Sequence, residues 1–137
     1  MATKQTRTES DLIGALEIPM ECKYGVQTFR AIDNFPITGI GINRYPNIVK
    51  YLGVIKKAAA VANYETGKIS KEIYEGIVKA CDDVIAGKYN DQFPVDVIQG
   101  GAGTSTNMNA NEVIANLALE YMGHEAGPYE FCSLNDH

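Results

Sequence analysis

Residues 99–112 read Gln-Gly-Gly-Ala-Gly-Thr-Ser-Thr-Asn-Met-Asn-Ala-Asn-Glu. Gly100, Gly101 and Gly103 form a turn whose backbone can expose its N–H groups. A helical period starts just behind it. The first amides of a helix lack intrahelical partners and lie at its positive end, so an anion is favoured there. Thr104, Ser105 and Thr106 add hydroxyl donors at the same place. On physical grounds the stretch is a carboxylate or phosphate cradle. The plainer alternative is a glycine-rich loop with a Thr or Ser N-cap and no ligand. No Gly-Lys-Ser/Thr follows, so it is not a P-loop. The third glycine and the good preceding strand of a dinucleotide fingerprint are also missing.

Working outward, Met108, Ile114, Leu117, Ala118 and Tyr121 carry the helical period and Gly123 stops it, which predicts a helix over Thr104 to Met122. Asn107, Asn109, Asn111 and Asn116 fall inside it, although asparagine competes with the backbone for hydrogen bonds and is a poor helix former. They form either a solvated face or a set of buried amides that hold neighbouring segments in register. Upstream, Ile48, Leu52, Ile55, Ala59 and Ala62 recur at helical spacing, with Pro46 at the entry and Gly67 past the end, predicting a helix over Pro46 to Glu65. Ser70 is the N-cap of another over Ser70 to Ala86, with Ile73, Ile77, Val84 and Ile85 on its buried side and Gly87 at its end.

Lys88 to Gly100 reads as a connector containing Pro94. Before Ile37 no helical period is visible, and Tyr24 to Phe29 is expected to be an extended piece of a small hairpin. The fold class expected is mainly α, multihelical, with a short irregular or hairpin segment at the N-terminus. Residues 1–137 are read as one domain.

Several functions are disfavoured by composition. With 12 Lys and Arg against 17 Asp and Glu, the formal net charge is -5, and no basic cluster offers a nucleic-acid footprint. No stretch is long enough to span a bilayer, and the first 14 residues resemble neither a signal peptide nor a lipidation site. Cys22, Cys81 and Cys132 are odd in number and widely spaced, which fits reduced thiols and a cytoplasmic location. His124 and His137 have no ligand-like spacing, so no metal site is expected. Glu72, Glu75, Asp82 and Asp83 read as a solvated helix face, and no Ser, His and Asp constellation can be assembled. The residues by themselves offer an anion cradle without a catalyst.

Asp91-Gln92-Phe93-Pro94-Val95-Asp96-Val97, followed by Gln99 through Asn116, resembles the first shared region of the aspartase and class II fumarase superfamily. Ile18-Pro19, Tyr24 to Thr28, Arg30-Ala31 and Asn34-Phe35 are similar to the N-terminal segment of that superfamily. Lys56 to Ala62 is similar to its first long helix, and Leu134 to His137 to the start of the following loop. At the cradle, Gly100-Gly101-Ala102-Gly103-Thr104-Ser105 looks like the aspartase version, whereas fumarases usually show Thr-Gly-Ser-Gly-Thr-Gln. Ser133 and Leu134 depart from the His-Pro of fumarases.

This resemblance implies an N-terminal domain of a homotetrameric ammonia-lyase that reversibly deaminates L-aspartate to fumarate and ammonium. It implies no organic cofactor, although a divalent cation activates some relatives. Gly103, Thr104 and Ser105 match positions at the substrate carboxylate, and Asn135 and Asp136 match a secondary anion site. No catalytic residue is expected within this chain, because the proton-abstracting serine of the family lies on a loop of the central domain. The abrupt polar end at Ser133 to His137 fits a piece of a longer protein, inert by itself. The runners-up are a fumarase-like hydratase and a freestanding anion-binding or oligomerisation module.

Overall fold

A computed structural model describes residues 5–137. Strands β1 (Thr6–Asp11) and β2 (Gly14–Pro19) form an antiparallel hairpin, with Thr6 opposite Pro19 and Asp11 opposite Gly14. The carboxylate of Asp11 accepts the Ile13 and Gly14 amides and closes the turn. Four helices follow: α1 (Val26–Asn34), α2 (Pro46–Glu65), α3 (Lys71–Ile85) and α4 (Thr104–Tyr121). Short 3-10 turns lie at Ile42–Arg44 and Asn90–Gln92. The mainly α class and the N-terminal hairpin agree with expectation. Among the described residues, no helix is long and apolar enough to cross a membrane.

Helix α1 is a correction. Tyr24 to Phe29 does not form an extended hairpin strand, and the chain is not free of helix before Ile37: the hairpin lies earlier, and Val26–Asn34 is helical. The cause is remote. Gly25 at the N-cap has no side chain to offer, and Glu112 of α4 replaces it by accepting the amides of Gly25, Gln27 and Thr28 at 2.9, 2.8 and 3.0 Å. Glu9 of β1 accepts the Val26 amide at 3.1 Å. Two buried carboxylates therefore satisfy the orphan donors of the helix and oppose its positive end.

Helices α2 and α3 form the expected helical hairpin. Ser70 caps α3 by accepting the Ile73 amide at 3.3 Å, and Gly87 ends it with φ +80°, a conformation that side-chain-bearing residues rarely adopt. Gly53 lets the two helices approach, since a Cβ there would lie 3.0 Å from Ile85 Cγ1. The α2 residues facing inward are Val49, Gly53 and Ala60, while Ile48 and Ile55 of the sequence stripe remain exposed. Glu72, Glu75 and Asp82 are exposed, as a solvated face requires.

Helix α4 is the centre of the fold, with every residue from Asn109 to Leu119 buried. Ile77 and Val84 of α3, Phe93 of the connector, and Ile114 and Leu117 of α4 form its main apolar contacts. Each such side chain contributes roughly 1.5–3 kcal/mol through burial. The two ends of α4 emerge from this packing: Gly103, Thr104 and Asn107 are exposed at its start, with Ser105 and Thr106 half-buried, and Glu120 is exposed at its end.

Candidate functional site

Gly103 is the N-cap of α4, in the left-handed region at φ +82°, and Thr104 is the first helical residue. No Thr or Ser side chain caps this helix. Gln99 does so instead: its Oε1 accepts the Thr106 amide at 2.8 Å, and its Nε2 donates to Thr106 Oγ1 at 2.8 Å. Asn107 N closes the first turn on the Gly103 carbonyl at 3.0 Å. Among the described residues, the Thr104 and Ser105 amides find no partner, so two orphan donors remain at the positive end of the helix. Gly103 and Thr104 are exposed and Ser105 is half-buried.

Two cations flank this turn in an otherwise acidic chain. Lys56 of α2 donates to Asn107 Oδ1 at 2.7 Å, and burial pulls its pKa below the ordinary lysine value. On the other side, Ser105 opens on a cleft of about 180 Å³ lined also by Gln27, Arg30, Asn34 and Phe35. The Arg30 guanidinium there is held by Asp11 at 2.9 and 3.0 Å, and this pairing lowers the Asp11 pKa. The Phe35 ring also packs close to the glycine-rich turn, since a Cβ on Gly100 would lie 3.1 Å from it. A larger depression of about 550 Å³, between Ile13, Leu16, Phe29 and Pro36, includes no residue of the glycine-rich turn.

The asparagines of α4 divide between the two readings. Asn107 is exposed, whereas Asn109, Asn111 and Asn116 are buried. Asn109 donates to the Gln92 carbonyl, and Asn116 bridges the Lys23 carbonyl, the Tyr129 hydroxyl and the Gly127 amide. They tie the connector, the segment before α1 and the C-terminal loop to one helix, as register-holding amides do.

Asn135 and Asp136 form a turn against other parts of the fold. The Asp136 carboxylate accepts the Ser133 amide at 2.8 Å, its carbonyl accepts from Asn63 of α2, and the adjacent His137 ring meets the Asn111 carbonyl at 3.2 Å. This turn is tied to the middle of α4 through Asn111 and to α2 through Asn63. Asn135 is exposed. Among the described residues, no group of three or more His, Cys, Asp or Glu side chains is placed to hold a metal ion.

A family model described as "Lyase" matches residues 14–137. The chain belongs to this lyase family. The lyase chain is 60% identical over 131 residues to the aspartate ammonia-lyase of a Bacillus species, a match covering 96% of the chain and 28% of the relative. To the aspartate ammonia-lyase of Escherichia coli K12 it is 52% identical over 132 residues, again 96% of the chain and 28% of the relative. The chain thus spans between a quarter and a third of the length of these relatives.

Among solved structures, the "fumarate lyase:delta crystallin" of Brucella melitensis in native form superposes with a TM-score of 0.94 at 50% identity, covering 96% of this chain and 31% of that one. The class II fumarase of Schistosoma mansoni superposes with a TM-score of 0.79 at 37% identity, covering 87% and 25%.

In this lyase chain Gly103, Thr104 and Ser105 adjoin because they are consecutive. Gln99 opens the same stretch of sequence, but nothing there gives it the role of a cap, and nothing brings Lys56 or Arg30 to the turn. A cap supplied from seven positions upstream, by way of a turn of undetermined shape, leaves no periodic signal. The side chains of α1 and α2 reach this turn only through tertiary packing.

Proposed function

We propose that the chain is the N-terminal domain of an aspartate ammonia-lyase, where it supplies part of the site for the substrate carboxylate. The observation that carries this is the first turn of α4. The free amides of Thr104 and Ser105 lie next to the left-handed Gly103 at a positive helix end, on residues that also carry hydroxyls, in a chain most of whose length matches aspartate ammonia-lyases. The reaction is the reversible deamination of L-aspartate to fumarate and ammonium, in a homotetramer and without an organic cofactor.

Removal of the proton beside the carboxylate makes a doubly charged enediolate. Donors aimed at that carboxylate therefore bind the transition state more strongly than the ground state. The general base belongs to a part of the enzyme outside residues 1–137, so the chain by itself should produce no fumarate from L-aspartate. Asn135, whose side chain is exposed, is the better member of a secondary anion site. The Asp136 carboxylate is already used by the Ser133 amide and would repel an anion. The free thiols of Cys22, Cys81 and Cys132 suit the cytoplasm.

Replacing Thr104 tests the assignment in the complete enzyme. Thr104→Ala should lower kcat by on the order of 10² to 10³, with a smaller rise in KM. Thr104→Ser, which keeps the donor, should be milder. A folded Thr104→Ala enzyme with kcat and KM unchanged refutes the role. Release of ammonium rather than uptake of water by fumarate separates this activity from that of a hydratase.

A further inference from the structure

The first turn of α4 is held by a side chain outside the helix. Gln99 accepts the Thr106 amide through Oε1 at 2.8 Å, and through Nε2 it donates to Thr106 Oγ1 at 2.8 Å and to the Asp96 carbonyl at 3.0 Å. Asp96 is anchored in turn: its carboxylate accepts the Ile98, Thr38 and Gly39 amides and the Thr38 hydroxyl at 2.8 to 2.9 Å. A continuous set of hydrogen bonds therefore runs from the loop after α1, through Asp96 and Gln99, to the third residue of α4.

Two consequences follow from chemistry. An uncharged primary amide can accept from one N–H while donating to two oxygens, whereas an ionised carboxylate can only accept and an ammonium can only donate. Gln99 also takes the Thr106 amide out of play, leaving the Thr104 and Ser105 amides as the free donors of the turn.

We propose that Gln99 is a positioning residue for the lyase reaction: it sets the direction of the first turn of α4 and reserves the Thr104 and Ser105 amides for the substrate carboxylate. This rests on the carboxylate-site assignment above. Gln99 need not touch substrate. Its effect passes through the aim of donors whose value lies in the transition state, where misplacement by about 1 Å costs on the order of 10² in rate.

The test uses the complete enzyme, with kcat and KM for L-aspartate and a melting temperature measured on Gln99→Met, Gln99→Glu and Thr104→Ala. Gln99→Met keeps the length and removes all three hydrogen bonds, so kcat should fall about ten- to a hundred-fold, more than KM rises. Gln99→Glu keeps an acceptor for the Thr106 amide but loses the donors and adds a negative charge near the bound carboxylate. Its KM should rise as well, and the rise should shrink at high salt.

A purely structural cap would lower the melting temperature of Gln99→Met and leave kcat and KM of the folded enzyme within about twofold of wild type, which overturns the proposal. If Gln99→Met keeps its kcat while Thr104→Ala loses it, the role of Gln99 fails and the carboxylate site stands. If Thr104→Ala keeps its kcat too, the site fails and the role of Gln99 with it. Should Gln99→Met not fold, Gln99→Glu decides through its KM and salt dependence, and an unchanged KM counts against the proposal.

Discussion

Glu112→Gln isolates the remote cap of α1. The wild-type side chain is fully buried, with Oε2 accepting the Gly25 and Thr28 amides and Oε1 accepting that of Gln27. A glutamine has the same shape but only one carbonyl oxygen. Placed at Oε2 it keeps two bonds, and its NH2 then faces the Gln27 N–H, donor against donor. Losing one bond to a charged acceptor and leaving a buried donor unpaired costs about 1.5–3 kcal/mol. The negative charge adds nothing on balance, because burial of the carboxylate outweighs what the amides return, so the total stays near 1.5–3 kcal/mol.

Urea denaturation followed by circular dichroism should show a lower midpoint with an unchanged slope. Burial raises the Glu112 pKa above its ordinary value, against the pull of the hydrogen bonds it accepts. A raised folded pKa means that the contribution of this group declines as pH rises through the interval between the ordinary and the raised value, so the penalty of Glu112→Gln should shrink across that interval. A variant destabilised by less than about 0.5 kcal/mol, the range of a neutral surface change, would refute the capping account.

Two further stability predictions concern the supports of the site. Burial by itself would raise the pKa of Asp96, but the amides of Ile98, Thr38 and Gly39 and the Thr38 hydroxyl outweigh it and hold the carboxyl at about 2. Its contribution is therefore complete above the ordinary value of 3.8 and is lost as pH falls towards 2; acid titration of stability should be steeper in wild type than in Asp96→Asn across that window, and equal slopes would count against it. Gly25→Ala would place a Cβ 2.2 Å from Glu9 Oε2 and 2.5 Å from the Tyr129 hydroxyl, displacing the groups that cap α1. A loss of about 3 kcal/mol or more in a denaturant titration is expected, and a neutral outcome would mean that the cap does not need that close approach.

Legibility in this chain followed the distance over which each cause acts. Ser70 and Gly87 bracket α3 with signals lying within one turn of its ends, and both were readable. So was the glycine-rich entry to α4, because orphan amides at a helix start follow from the turn itself. Helix α1 was not, since the acceptors for its first amides come from Glu9 and Glu112, far away in sequence. The face of α2 was half legible: the helical period was there, but the packing of Gly53 against α3 decided which side turned inward.

By itself the sequence determined that this is a mainly helical chain in which a glycine-rich turn leads into α4 with unpaired backbone donors at its start, because propensity, end signals and backbone donors are local properties. Only the tertiary structure decided that three asparagines of α4 are buried, that Gln99 caps the cradle and that Lys56 and Arg30 flank it. Hydrogen-bond partners and burial depend on which distant segments the shared core brings into contact, and no spacing along the chain encodes that.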